Sequence, residues 1–250
     1  MTEDLRALYP SLRGKRVLIT GGGSGIGAGL VEGFVRQGSH VTFIDVLDEE
    51  PRALAARTGA AFEKVDLKDI PAVTARIGAL IERDGAFDVL VNNAANDDRH
   101  EVANVTEDYW HDRIDVNLKH QFFCAQAVVP GMRANGGGVI VNLGSISWHL
   151  ALPDLVLYQT CKAAIEGMTR ALARDLGRDN IRVSCVVPGN VKTPRQDKWY
   201  TPEDEAAIVA AQCLDCRLVP DDVAALVTFL ASADARAITG HEHFVDAGWR

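Results

Sequence analysis

Short apolar runs alternate with longer amphipathic stretches along this chain, and that alternation leaves few architectures open. "RVLIT" (16–20), "VTFID" (41–45), "DVLVN" (88–92), "GVIVNL" (138–143) and "IRVSCVV" (181–187) read as buried parallel strands. "AAFEKVD" (60–66) is a weaker strand and "HFVDA" (243–247) a last one. Helical spacing is predicted near 26–38, 68–84, 106–132, 158–176 and 220–231. In the fourth of these, Ile165, Met168, Leu172 and Leu176 sit three or four apart, and Gly177 stands where a C-terminal cap is expected. Such alternation predicts an α/β fold: one doubly wound, Rossmann-type domain over 1–250, with about seven parallel strands and helices on both faces. The stretch 190–219 starts polar and breaks the pattern. It is expected as an insertion over the carboxyl edge of the sheet, where ligands bind in such folds.

A chain of 250 residues suits one large domain. Its net charge of −8 argues against nucleic acid or an anionic membrane as the main partner. No apolar run is long enough to span a bilayer and the first residues carry no apolar leader, so a cytoplasmic protein is expected. Five irregularly spaced cysteines fit reduced thiols. "CLDC" (213–216) and "HEH" (241–243) are the only candidate metal ligands, and no metal is expected.

"VLITGGGSGIGAGL" follows the first strand and opens the first helix. Gly21, Gly25 and Gly27, with Gly23, Ser24 and Ile26 between them, let backbone approach a pyrophosphate at a helix N-terminus. The strand-before, helix-after context is the one a dinucleotide site requires. The second strand ends in Asp45, followed by Val46. A carboxylate there can accept both ribose hydroxyls of NAD and would repel the 2′-phosphate of NADP. Otherwise Asp45 is a loop acid at a strand end.

"LYQTCKAAIEGM" places Tyr158 and Lys162 four apart, hence on one helical face. A cation beside a phenol lowers its pKa and suits it to proton transfer near neutral pH. The same spacing also occurs in unremarkable surface helices.

Together these segments resemble the short-chain dehydrogenase/reductase family over essentially the whole length. The glycine turn matches T-G-x-x-x-G-I-G at Thr20 to Gly27. "NNAA" (92–95) resembles the family's N-N-A-G, with Ala95 in place of glycine. "VNLGS" brings Ser145 to 13 residues before Tyr158, "DVNLKH" carries Asn117, and "PGNVKT" (188–193) matches the loop that holds the nicotinamide. Further segments resemble the family's NAD-dependent aldose 1-dehydrogenases, in particular those acting on D-xylose. Relatives acting on L-arabinose, D-galactose or L-fucose share much of the scaffold.

The resemblance implies oxidation of an aldose at C1 to its lactone. Tyr158 takes the hydroxyl proton, Lys162 favours the phenolate and holds the nicotinamide ribose, and Ser145 binds the same substrate oxygen. Asn117 orders a water on the proton's way out. Ser145 could otherwise cap a strand end, Ser147 is a decoy two residues away, and Asn117 could be structural. Asp66 and Leu67 are expected at the adenine, although Asp66 could instead cap the helix near 68–84. Asn93 and Ala94 are expected to line the adenine-ribose side, and Pro188, Gly189, Val191 and Thr193 the nicotinamide. A sugar pocket is expected from Asn96, Trp148, His149 and Asn190, each otherwise a solvated loop residue. A homotetramer is the family expectation. Two other functions stay open: an NADPH-linked carbonyl (3-oxoacyl) reductase, and a non-enzymatic nucleotide-binding scaffold.

Overall fold

The apolar runs form a seven-stranded sheet in the computed structural model, which describes residues 6–196 and 200–250. The strands are β1 (Arg16–Thr20), β2 (His40–Asp45), β3 (Ala61–Lys64), β4 (Val89–Asn92), β5 (Gly138–Leu143), β6 (Ile181–Pro188) and β7 (Glu242–Val245). All neighbours pair in parallel, in the order β3-β2-β1-β4-β5-β6-β7. The order reverses between β1 and β4. At that switch point the carboxyl ends of the strands open a crevice for ligands.

Helices α1 (Gly25–Arg36), α2 (Glu49–Thr58), α3 (Ile70–Asp84), α4 (Glu107–Ile114), α5 (His120–Ala134), α6 (Val156–Leu176), α7 (Pro202–Ala210) and α8 (Pro220–Ala231) cover both faces. Alternate residues of one strand feed opposite layers. Val17 and Ile19 join a core with Leu30 and Phe34 of α1 and Val223 and Val227 of α8. Leu18 joins another with Val73 and Ile77 of α3 and Val128 and Met132 of α5. Each such side chain is removed from water and contributes roughly 1.5–3 kcal/mol. No helix among the described residues is long and apolar enough to cross a membrane.

Four local features differ from the sequence-based expectations. Helix α2 was not predicted, because "EEPRALAART" buries only Pro51 and Leu54 and shows no apolar stripe. The helix predicted over 106–132 is two helices, with a π-turn at Asp115–Lys119 between them. The insertion over 190–219 contains α7, started by a capping box in which the side chains of Thr201 and Asp204 satisfy each other's main-chain N–H. Its two ends are tied to each other by a parallel bridge between Val191 and Leu218, both buried. Residues 197–199 of that insertion lie outside the described residues. Finally, Gly177 does end α6 but with a right-handed φ of −61°; the left-handed residue is Asn180, φ 57°. Asparagine tolerates that region because its short side chain can hydrogen-bond locally, and here Asn180 Nδ2 donates to the Gly136 carbonyl at 3.0 Å.

Candidate active site

Strand β5 and helix α6 bring three polar side chains together at the crevice. Ser145 stands two residues beyond the end of β5, Tyr158 in the first turn of α6, and Lys162 one turn later. Lys162 is almost wholly buried, and its ammonium donates to the Leu143 carbonyl at 2.8 Å, which pins α6 to the end of β5. Its Nζ lies 5.4 Å from the centre of the Tyr158 ring. Ser145 caps a short 3-10 turn by accepting the Ser147 N–H, and its hydroxyl donates to Ser147 Oγ at 2.9 Å. The capping role and the site role thus belong to the same residue, and Ser147 holds the Ser145 hydroxyl in place.

The electrostatics differ from what a simple Tyr–Lys pair suggests. Burial pushes the Tyr158 phenol above its ordinary value, and the Asp97 carboxylate adds to that; the hydrogen bond with Ser145 and the charge of Arg195 pull it back. Burial also lowers the Lys162 ammonium to about 8. Lys162 alone does not make Tyr158 acidic, because desolvating a phenolate outweighs a cation that is itself desolvated.

The glycine turn lies alongside. Helix α1 starts at Gly25; its N-cap Ser24 makes no capping hydrogen bond, and its first turn holds no acidic side chain. That end of the helix is therefore left to face an anion. The turn is close-packed: a Cβ on Gly27 would lie 1.9 Å from the Gly21 carbonyl oxygen, and one on Gly21 would lie 2.7 Å from Ala94 Cα. Asp45 is buried at the end of β2, where Oδ2 accepts the Gly23 N–H at 2.8 Å and Oδ1 the Leu47 N–H at 3.0 Å. Its remaining lone pairs stand beside the turn, while Val46 is exposed. Thr193, beyond β6, approaches from the other side: a Cβ on Gly25 would lie 3.2 Å from its methyl. The neighbouring Pro188 pairs with Val245, and Gly189 is packed against Asp246. These residues fit a dinucleotide, with an anion-accepting helix end, a glycine cradle and a carboxylate at the ribose position.

The structure shows how several of the expected residues are held. Asp66 is exposed beyond β3 and accepts the Lys68 N–H; Asp69, not Asp66, caps α3 by accepting from Ala72. Leu67 is buried in the core. Asn93 spends its N–H on Thr20 Oγ1 and its amide on the Thr20 and Gly21 carbonyls, which locks the glycine turn to the end of β4. Ala95 has no left-handed φ, so its methyl in place of a glycine costs no backbone strain. Asn117, in the π-turn, accepts the Asn96 N–H at 2.8 Å and donates to the Asn96 and Arg113 carbonyls at 3.0 and 2.9 Å. Both amide protons are committed, so the side chain acts on the loop after β4 and has only an oxygen lone pair left for a water. On the sugar side, Asn96 Oδ1 accepts the Asp98 N–H. Asn190 holds Tyr200 and Arg217 of the insertion. Trp148 Nε1 and His149 Nε2 both reach Oε1 of Glu166, at 2.8 and 3.0 Å. Trp148 Nε1 and His149 Nε2 therefore face α6, while His149 Nδ1 lies 3.0 Å from Arg250 NH1, so ring surface is what these two side chains have left to offer a ligand.

A family profile described as enoyl-(acyl carrier protein) reductase matches residues 21–250. A D-xylose 1-dehydrogenase of Caulobacter vibrioides is 63% identical over 249 residues, 98% of this chain and 99% of the relative. The chain belongs to the short-chain dehydrogenase/reductase family. A probable galactose dehydrogenase of Rhizobium meliloti is 46% identical over 247 residues, 96% of each chain. Among solved structures, a putative short-chain alcohol dehydrogenase from Sinorhizobium meliloti superimposes with a TM-score of 0.88 at 33% identity, covering 96% of this chain and 98% of that one.

Sequence reading of this dehydrogenase missed the residues that hold the named ones. Thr20 is wholly buried and its hydroxyl accepts from both Asn93 and Ala94. Asn92 and Asn142 face each other in register at the ends of β4 and β5, and Asn142 continues to Thr169 of α6. Two asparagines closing apolar strands were a visible signal, since a buried amide needs partners. Glu166 gave no signal, because its partners come from a loop 17 residues away.

Proposed function

We propose that this short-chain dehydrogenase oxidises an aldose at C1 to its lactone with NAD, and that D-xylose is the sugar. The observation that carries the reaction is the convergence of Ser145, Tyr158 and Lys162 at one end of β5 and α6, beside the glycine turn. The similarity to D-xylose 1-dehydrogenase supports the sugar.

Asp45 would hold the adenosine ribose, the Gly21–Gly27 turn the pyrophosphate, and Pro188 to Thr193 the other end of the dinucleotide. When bound, NAD supplies the acceptor for the hydride from C1. Ser145 turns the hydroxyl proton that it otherwise gives to Ser147 Oγ towards the C1 oxygen and fixes that oxygen beside Tyr158. The Tyr158 phenolate takes the proton from that oxygen as the carbonyl forms. Because burial disfavours the phenolate, the positive charge of Lys162 matters most once water is excluded. Asn117 keeps the Asn96 loop in place beside the site and can order a water through its oxygen.

Asp45 supports NAD over NADP through charge repulsion. A second reading, reduction of an acyl carbonyl with NADPH, is favoured by the description of the family profile. The charged edge formed by Asp97, Asp98 and Arg195 suits a polyol better than an acyl chain. We further place the protein in the cytoplasm as a homotetramer, which light scattering would test.

The deciding experiment supplies NAD and NADP separately with D-xylose, L-arabinose, D-galactose, D-glucose and L-fucose and follows reduced cofactor. Fast NAD-linked turnover of one pentose supports the reading. No turnover with any sugar, together with carbonyl reduction by NADPH, would replace it.

A further inference from the structure

The loop leading into α6 is strained and is held from outside. Ala151 and Asp154 adopt left-handed φ values of 51° and 62°. Residues other than glycine rarely do so, and such conformations persist only where their surroundings over-determine them. Three of the ties come from two consecutive residues beyond β4. Arg99 NH1 donates to the Pro153 carbonyl at 2.9 Å, and the His100 N–H donates to the Asp154 carbonyl at 2.9 Å. The third reaches the helix itself: His100 Nε2 accepts the Leu157 N–H at 3.3 Å.

Helix α6 has no capping side chain of its own, since Leu155 occupies its N-cap. The first N–H groups of a helix lack intrahelical partners. An imidazole 57 residues away in sequence takes one of them, directly before Tyr158. The geometry fixes the tautomer. Nε2 accepts and so carries no proton, and Nδ1 bears it, 3.4 Å from the Asp98 carbonyl. The ring is further fixed edge-on against Tyr109, with centroids 5.4 Å apart.

We infer that His100, assisted by Arg99, is a positioning residue for Tyr158: its imidazole caps α6 from the neighbouring loop and sets where the phenol stands. The inference rests on the reading of Tyr158 as the proton acceptor.

Two variants separate capping from packing. His100→Phe keeps a ring without an acceptor, while His100→Gln can present an amide oxygen near the Nε2 position. His100 borders an open cavity of about 420 Å³ with Glu101 and Asn104, so neither change is forced into the core. With NAD and D-xylose, His100→Phe is expected to lower kcat about tenfold, with KM for NAD within about twofold of the parent. His100→Gln is expected to stay within about threefold of the parent kcat. Hydrogen exchange over residues 151–160, which needs no substrate, should accelerate in His100→Phe and not in His100→Gln. A His100→Phe protein with parental kcat and exchange overturns the inference, as does a His100→Gln protein as impaired as His100→Phe. If His100→Phe does not fold, Arg99→Ala decides: faster exchange over 151–158 with a lower kcat supports the inference, and parental values refute it. Tyr158→Phe is assayed alongside. Retained activity there removes the reading of Tyr158 without touching the cap, which the exchange data report on their own.

Discussion

Asn117 grips Asn96 by both of its main-chain polar groups, accepting from the N–H at 2.8 Å and donating to the carbonyl at 3.0 Å. This pair joins the π-turn between α4 and α5 to the loop that leaves β4. Asn117→Ala would strand both groups of Asn96, at a cost of about 1–3 kcal/mol. Chemical denaturation should show that loss, and kcat should fall with it. Asn117→Asp restores the acceptor but not the donors and should be intermediate. Parental stability in Asn117→Ala would mean that water replaces the grip.

Removing the phenol tests the chemistry itself. Tyr158→Phe should lower kcat by about 10²–10⁴, the usual contribution of a positioned acid or base. Cofactor binding, followed by fluorescence, should persist. Substantial turnover in that variant would assign the proton to another group.

Asp45 tests the cofactor. Asp45→Asn removes the charge but keeps an oxygen for only one of the Gly23 and Leu47 N–H groups, which Asp45 accepts through different oxygens. The ratio of kcat/KM for NAD over NADP should fall at least about tenfold, since like charges in contact cost several kcal/mol. An unchanged ratio would place the discrimination elsewhere.

Glu166 holds two side chains of the loop that follows Ser145. Glu166→Ala leaves the Trp148 and His149 donors without that acceptor and should cost about 2–4 kcal/mol in unfolding free energy, with kcat reduced. Glu166→Gln, which still offers an oxygen, should recover most of the stability. Equal loss in the two variants would show that the charge, rather than the acceptor, is what the loop requires.

His120 gives a pH signature. It is wholly buried, with Nε2 3.2 Å from the Ala94 carbonyl, and burial lowers its pKa from 6.5 to about 4. The unfolded chain therefore binds a proton first as pH falls. The contribution of this group is intact above about 6.5 and is lost between there and about 4, an order-of-magnitude loss of about 3 kcal/mol. The difference in unfolding free energy between the parent and His120→Gln should shrink towards acid over that window. A constant difference from pH 7 to pH 4 would contradict it.

The doubly wound sheet was legible because its five central strands, β1, β2, β4, β5 and β6, are buried on both faces and so appear as apolar runs, whereas the edge strands β3 and β7 are only partly buried and read more weakly. All seven strands overlap the stretches read from sequence. The elements that escaped notice lack such a signature. Helix α2 buries two residues, and the π-turn at Asp115–Lys119 inserts one extra residue into an otherwise helical period. Helix α7 sits in a polar segment whose start is written only in the Thr201–Asp204 capping box.

At the site, local spacing put Tyr158 and Lys162 on one helical face, but only the family's other motifs singled the pair out. Motif spacing added Ser145, the glycine turn and Asp45. The sequence by itself therefore determined the fold class and supplied the candidates for the reactive groups. Tertiary structure decided how those groups are held and charged. Asn117 turned towards Asn96, Trp148 and His149 turned towards Glu166, and His100 reached the start of α6. Burial reversed the expected shift of the Tyr158 phenol. Hydrogen bonds across tens of residues and the loss of water around a charge depend on which elements meet in space, and no local period records that.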